Sequence, residues 1–252
     1  MKVFLTGASS GIGAALAREY AKSGAQLGLF ARRADALAAL AQSLDPPPAV
    51  YAGDVREASA LSAAAVDFMA RFGTPDIVIA NAGVSRGTLT EHPEDNAAFK
   101  AILDTNVVGM MQTFQPFVAA MRAAGAGKLV GIASVAGFRG LPGAGAYSAS
   151  KAAAIRYLES LRVELRGTGV RVVTICPGFV DTPMTARNPY RMPFLLSPDD
   201  AARRIVRAVA RGQRFYVLPW PMALLGRLLS IVPRSLYDPA LARRKRKPRD
   251  GL

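Results

Sequence analysis

Short apolar runs, rich in β-branched and aromatic residues, recur at Val3–Leu5, Leu27–Phe30, Val50–Ala52, Ile77–Ala80, Leu129–Ala133, Val170–Ile175 and Phe215–Leu218. Between them lie Ala- and Leu-rich stretches with helical spacing: Ala14–Ser23, Arg33–Ser43, Glu57–Phe72, Ala97–Ala124, Ala149–Arg166 and Asp199–Arg211. Strands alternating with helices predict a parallel sheet covered by helices on both faces. Runs that are apolar at nearly every position, rather than at every second one, fit strands buried on both sides. The rhythm breaks twice, in the Pro- and Gly-rich stretch from Pro177 to Pro198 and again after Leu218. Residues 1–218 therefore read as one domain and residues 219–252 as an extension.

The first strand runs into Thr6-Gly7-Ala8-Ser9-Ser10-Gly11-Ile12-Gly13, which opens a helix. Glycines in such a turn let the backbone approach a pyrophosphate, whose charge then sits at a helix N-terminus. No Lys-Ser/Thr pair follows, so the loop is not that of a nucleoside triphosphatase. The loop sharpens the fold class to α/β: a Rossmann-type, doubly wound, seven-stranded parallel sheet with a C-terminal helical extension. The end of the second strand selects the dinucleotide. An acidic residue there would take the adenosine ribose hydroxyls, but Ala31 stands at that place, followed by Arg32 and Arg33. Guanidinium groups suit a phosphate dianion and stack on adenine, which predicts NADP over NAD. Asp35 reads as a first-turn residue of the next helix.

Composition narrows the chemistry further. One histidine (His92) and one cysteine (Cys176) exclude two-His metal motifs, CxxC motifs and an intramolecular disulfide. Acid–base work then falls to Tyr, Lys or carboxylates. The formal net charge of +14 points to an anionic ligand, an anionic membrane or nucleic acid. No helix-turn-helix, zinc or RNA-binding signature appears, which puts nucleic acid last. Lys2 is followed by only three apolar residues before Thr6, so no export signal is read and a cytoplasmic protein is expected.

Tyr147-Ser148-Ala149-Ser150-Lys151 puts a phenol and an ammonium on one helix face, and Ser134 is expected at the end of the fifth strand. At this point the sequence resembles the short-chain dehydrogenase/reductase family over residues 2 to 218. The resemblance rests on the Thr6–Gly13 loop, Gly53-Asp54-Val55, Asn81-Ala82-Gly83, Asn106, Ser134, Tyr147 with Lys151, and Pro177-Gly178-Phe179-Val180-Asp181-Thr182. Ala80 departs from it, where many members carry a further Asn. The resemblance implies an NADP(H)-dependent oxidoreductase interconverting a ketone or aldehyde and an alcohol. Tyr147 is then the proton donor and Ser134 a hydrogen-bond partner of the substrate oxygen. Lys151 tunes Tyr147 and binds the nicotinamide ribose, and Asn106 holds a relay water. For the cofactor it implies Gly7, Ser9, Ser10, Gly11, Ile12, Gly13, Arg32, Arg33, Asp54, Val55, Asn81, Ala82, Gly83, Tyr147, Lys151, Pro177, Gly178, Val180 and Thr182. It also implies a homo-oligomer, a dimer or a tetramer.

His92 reads as a loop or cap residue and Cys176 as core. Met184, Met192, Phe194 and Leu195, joined by Tyr190, read as an apolar lid, which suggests an apolar or lipid-like substrate. Beyond Leu218, eleven residues between Pro221 and Pro233 would span ~17 Å as a helix, against a hydrocarbon thickness of ~30 Å. They cannot cross a bilayer. They suit either a helix covering the core or a partner, or one lying on an anionic membrane with help from the basic run Arg243–Arg249. A peripheral membrane protein, or a nucleic-acid-binding protein on the same scaffold, is the alternative to an enzyme.

Overall fold

A computed structural model describes residues 1–242 and 246–249. Seven strands form one sheet: β1 (Lys2–Thr6), β2 (Gln26–Ala31), β3 (Ala49–Ala52), β4 (Ile77–Ala80), β5 (Gly127–Ile132), β6 (Val170–Pro177) and β7 (Phe215–Leu218). Their order is β3-β2-β1-β4-β5-β6-β7 and every pairing is parallel. The chain turns back between β1 and β4, so a crevice opens there beyond the carboxyl ends of the strands.

Successive residues of a strand face opposite sides of the sheet, and each side has its own core. Val3, Leu5, Ile77, Ile79, Val173 and Ile175 pack with helices α1 (Gly11–Ala21), α2 (Ala34–Gln42) and α7 (Pro198–Ala210). Phe4, Val78, Leu129 and Val172 face α3 (Ala58–Phe72), α5 (Gly109–Ala123) and α6 (Gly145–Glu164). At the centre of the second core the Phe4 ring meets Phe68 edge-on at 5.5 Å and Phe117 at 4.8 Å. These double-sided cores account for the near-continuous apolar runs of the sequence.

Three local departures from the expected elements bear on function. The long helix expected over 97–124 is divided into α4 (Asn96–Leu103) and α5 by a π-turn at Asp104–Val108. Such turns leave the i→i−4 ladder and recur at functional sites. Helix α6 begins at Gly145, four residues before the expected start, so Tyr147 lies in its first turn. Strand β5 ends at Ile132, and Ser134 is not its last residue. It instead caps a short 3-10 turn, its hydroxyl accepting the Ala136 N–H at 3.1 Å.

After β7 the chain forms α8 (Trp220–Ile231) and a helix not foreseen from the sequence, α9 (Arg234–Ala242). Gly226 allows α8 to sit down on the body: a Cβ there would lie 2.3 Å from the Phe138 ring. Arg139 ties both helices in place. Its guanidinium donates to the carbonyls of Leu229 and Val232, at 2.8 and 2.9 Å, and lies 4.1 Å from the centre of the Tyr237 ring. The Tyr237 hydroxyl in turn donates to the Gly140 carbonyl at 2.5 Å. Trp220, Leu224, Leu228 and Ile231 remain exposed on the outer face of α8. Among the described residues, no helix is long and apolar enough to cross a membrane.

Candidate active site

The crevice at the β1/β4 switch point is a cleft of about 790 Å³. All the cofactor residues expected from the sequence line it, together with Ser134. At its base the glycine loop passes beneath the N-terminus of α1. Gly7 has φ +67°, and a Cβ there would lie 2.7 Å from Ala82 Cα. A Cβ on Gly13 would lie 2.1 Å from the Gly7 carbonyl oxygen. These contacts are why glycine stands at both places. Asn81 clamps the loop from behind, its amide donating to the carbonyls of Thr6 and Gly7 at 3.1 Å each. Its side chain is thus spent on shaping the loop.

The N-terminus of α1 has no side-chain cap, so backbone N–H groups of its first turn are left for an anion from outside the helix. One wall beside it is basic. Arg33 Nη2 donates to both the carbonyl and the hydroxyl of Ser9, at 3.3 Å each. Arg32 lies 3.9 Å from the Asp54 carboxylate. Asp54 also accepts from Arg56 at 2.7 Å, and that hydrogen bond, followed by further contacts to Arg56 and Arg32, outweighs its burial and holds its carboxyl below the usual range. Asp35 lies, exposed, in the first turn of α2.

At the other end of the cleft, Lys151 is 4% exposed and donates to the Ile132 carbonyl at 2.8 Å. Its ammonium lies 5.8 Å from the centre of the Tyr147 ring. Burial pushes Lys151 down to about 8. Burial pushes the Tyr147 phenol up, while a hydrogen bond with Ser134 pulls it back. Cys176 is buried in β6 and pushed up to about 12 by burial, as befits a core thiol.

Asn106 is fully buried and does not line the cleft. Its carbonyl oxygen accepts the Val84 N–H at 2.8 Å. Its amide donates to the Val84 carbonyl at 3.0 Å and to the Ser150 hydroxyl at 2.9 Å. Ser150 in turn donates to the Tyr147 carbonyl at 2.8 Å. Both amide N–H groups of Asn106 are thus engaged by protein, and its side-chain oxygen holds one N–H. That side chain ties the π-turn to the helix bearing Tyr147 and to the loop after β4.

The expected apolar lid is only partly formed. Met184 lines the cleft, but Phe194 and Leu195 face solvent, and Tyr190 packs near Phe179 at 6.4 Å between ring centres. Met192 accepts from the Asn188 amide at 3.5 Å. His92 precedes a 3-10 turn, 3.2 Å from Glu94. Sequence reasoning missed Ser150, Val84 and Ser85, and also Lys247 and Pro248 of the basic tail, both of which line the cleft. Only the buried network gives Ser150 its significance, and no local signal marked the tail residues.

A nucleotide cleft at the switch point of a parallel sheet, ending in a Tyr–Lys pair, is the arrangement of a nicotinamide-dependent oxidoreductase. Comparison with known proteins agrees. Residues 1–191 match the family model described as short chain dehydrogenase. An uncharacterized oxidoreductase of Myxococcus xanthus (strain DK1622) is 41% identical over 245 residues, covering 96% of each chain. A short-chain dehydrogenase from Streptomyces avermitilis has a TM-score of 0.82 at 25% identity, over 96% of this chain and 97% of that one. An alcohol dehydrogenase from the archaeon Thermococcus sibiricus, complexed with 5-hydroxy-NADP, has a TM-score of 0.75 at 29% identity, over 86% of this chain and 95% of that one. The chain belongs to the short-chain dehydrogenase family and is an oxidoreductase. The family uses nicotinamide cofactors and acts on small molecules, commonly as oligomers.

Proposed function

We propose that the protein reduces a ketone or aldehyde to the alcohol, or runs the reverse reaction, with NADP(H) in the cleft. The observation that carries this reading is the buried Lys151 beside Tyr147, with Ser134 on the same lining, at the far end of a cleft floored by the glycine loop. The residues fit the cofactor. The uncapped N-terminus of α1, with Ser9, Ser10, Gly11 and Ile12, would take the pyrophosphate, and Arg32 with Arg33 the ribose phosphate. Asp54 and Val55 would flank the adenine, and Val180 and Thr182 the nicotinamide amide and pyrophosphate. When bound, the nicotinamide supplies the hydride or accepts it.

The chain's own residues then handle the proton. Tyr147 donates its phenolic proton to the carbonyl oxygen in reduction and removes it from the alcohol in oxidation. The Lys151 ammonium, 5.8 Å from the centre of the Tyr147 ring, favours the phenolate through space, and the Ser134 hydroxyl stabilises the same oxygen. Asn106 would hold a relay water behind Lys151 through the acceptor capacity its oxygens retain. Val84, Met184 and Pro248 supply apolar wall for a substrate with an apolar body. The test is NADPH consumption with ketones and aldehydes graded by chain length, comparing the native protein with Tyr147→Phe. Turnover that survives the substitution would refute the proton-donor role.

A second reading concerns α8 alone. Its outer face carries Trp220, Leu224, Leu228 and Ile231, all exposed, with Arg227 and Arg234 beside them. Apolar and basic residues in that arrangement support contact with an anionic membrane surface. Flotation with vesicles containing phosphatidylserine tests it. Equal partitioning of the protein with and without residues 219–252 would remove it.

A further inference from the structure

Of the basic run, Arg243, Arg244 and Lys245 lie outside the described residues, and residues 246–249 do not point away from the body. Residues 246–249 lie across the substrate end of the cleft, over two loops that a bridge between Thr88 and Ala144 holds together. The seat is built for close contact. The Gly87 N–H donates to the Pro248 carbonyl at 2.8 Å, and a Cβ on Gly87 would lie 2.3 Å from the Lys247 carbonyl oxygen. Gly143 has φ +74°, and a Cβ there would lie 2.8 Å from Arg246 Cβ. Arg249 locks the end of the segment, donating to Asp95 and Glu94 at 2.8 Å each.

These contacts sort the tail's charges. Arg249 has two carboxylates. Lys247, two residues earlier, has only a neutral partner: its ammonium donates to the Ser85 hydroxyl at 2.7 Å and lies 5.6 Å from the centre of the Tyr147 ring. Among the described residues no carboxylate pairs with it. The nearby acids Glu94 and Asp95 are engaged by Arg249, and Asp95 also lies 3.7 Å from Arg86. A half-buried cation beside the reacting residue, held by a hydroxyl and not neutralised, is a receptor awaiting an anion.

We propose that Lys247 binds an acidic group on the substrate, and that the enzyme acts on carbonyl compounds or alcohols carrying a carboxylate near the reacting carbon. The tail is then one wall of the substrate site and Lys247 its specificity residue, with Ser85 orienting the ammonium. Exposed Arg187, on the cleft lining, adds positive potential. Burial, which pushes Lys247 down to about 8, reflects the same uncompensated charge. The inference rests on the reading of this cleft as a carbonyl-reducing site.

The test compares keto acids with their methyl esters, and with phosphate-bearing ketones, using native protein, Lys247→Met and Lys247→Arg. A lost charge-assisted contact predicts that Lys247→Met lowers the acid-to-ester ratio of kcat/KM about 10- to 100-fold, mainly through KM, and that Lys247→Arg largely restores it. A phosphate preference exceeding the carboxylate preference would overturn the carboxylate assignment. A second measurement does not need turnover: calorimetric titration of the protein–NADP complex with a non-reducible carboxylate. It should bind native protein at least tenfold more tightly than Lys247→Met. An unchanged ratio with unchanged binding overturns the proposal. So does a deletion of residues 243–252 that raises kcat/KM for acid and ester alike, since the tail would then be a plug. Absence of turnover with every carbonyl, beside Lys247-dependent carboxylate binding, would instead count against the carbonyl-reducing reading alone.

Discussion

Replacing Arg32 and Arg33 together by alanine tests the proposed recognition of the ribose phosphate by this pair. Arg33 is held over the glycine loop by its two 3.3 Å contacts to Ser9. Arg32 stands 3.9 Å from Asp54, whose stronger partner is Arg56 at 2.7 Å. Each charge-assisted contact to the ribose phosphate is worth about 1.5–3 kcal/mol, and both side chains are exposed, which favours the low end. Two such contacts give roughly 3 kcal/mol, or about 100-fold in Kd for NADPH. Asp54 strengthens the effect, because in the variant it loses a neighbouring cation and presents more of its negative charge to the phosphate. NADH has no such phosphate and loses only stacking of guanidinium on adenine, about 0.5–1 kcal/mol, so its Kd rises by less than about fivefold. Quenching of protein fluorescence by each dinucleotide, at fixed ionic strength, measures both constants. Equal weakening of NADPH and NADH would refute phosphate recognition by this pair.

Tyr147→Phe is expected to lower kcat by about a thousandfold or more, while NADPH affinity changes by less than about threefold, because the phenol acts on a proton rather than on the nucleotide. Lys151 makes a prediction about stability. Its pKa is about 8 when folded against 10.5 when free, so below pH 8 the buried charge costs on the order of 3 kcal/mol, and the cost is relieved as pH rises from 8 to 10.5. Cofactor-free Lys151→Met should therefore be inactive yet melt a few degrees above native protein at pH 7, the gap closing by pH 10; a lower midpoint at pH 7 would contradict this. Gly226→Val drives a side chain into the Phe138 ring. It should loosen α8 and α9 and speed proteolysis beyond residue 218 with the sheet intact, whereas an unchanged digestion pattern would show that the close approach does not hold the extension.

Much of the fold was legible because its causes are local. Buried parallel strands must be apolar on both faces, so the seven runs stand out, and Ile77–Ala80 and Phe215–Leu218 match their strands end for end. The glycine loop was legible for a similar reason: positive φ and close approach demand Gly7 and Gly13 whatever lies elsewhere. Tyr147 and Lys151 stand out through their i, i+4 spacing and a family pattern, and the structure places both on the cleft. What was misplaced depends on partners distant in sequence. Nothing in Asp104–Val108 announces a π-turn, and the partners that Asn106 ties to it, Val84 and Ser150, lie 22 and 44 residues away. The lid was overread because an apolar loop residue looks the same in sequence whether it faces a cleft, as Met184 does, or solvent, as Phe194 does.

The sequence by itself determined the class of sheet and the glycine loop, and singled out the residue types proposed for the reaction, since each answers to backbone geometry or to chemistry within a few positions. The tertiary structure alone decided where the excess of positive charge goes. Read along the chain, Arg246–Arg249 is a solvated basic run. Folded, it lies on Gly87 and Gly143, with Arg249 neutralised and Lys247 left charged beside Tyr147. Charge acts through space, and whether a cation is paired depends on which carboxylates the fold brings within a few ångströms, a property that no window of sequence contains.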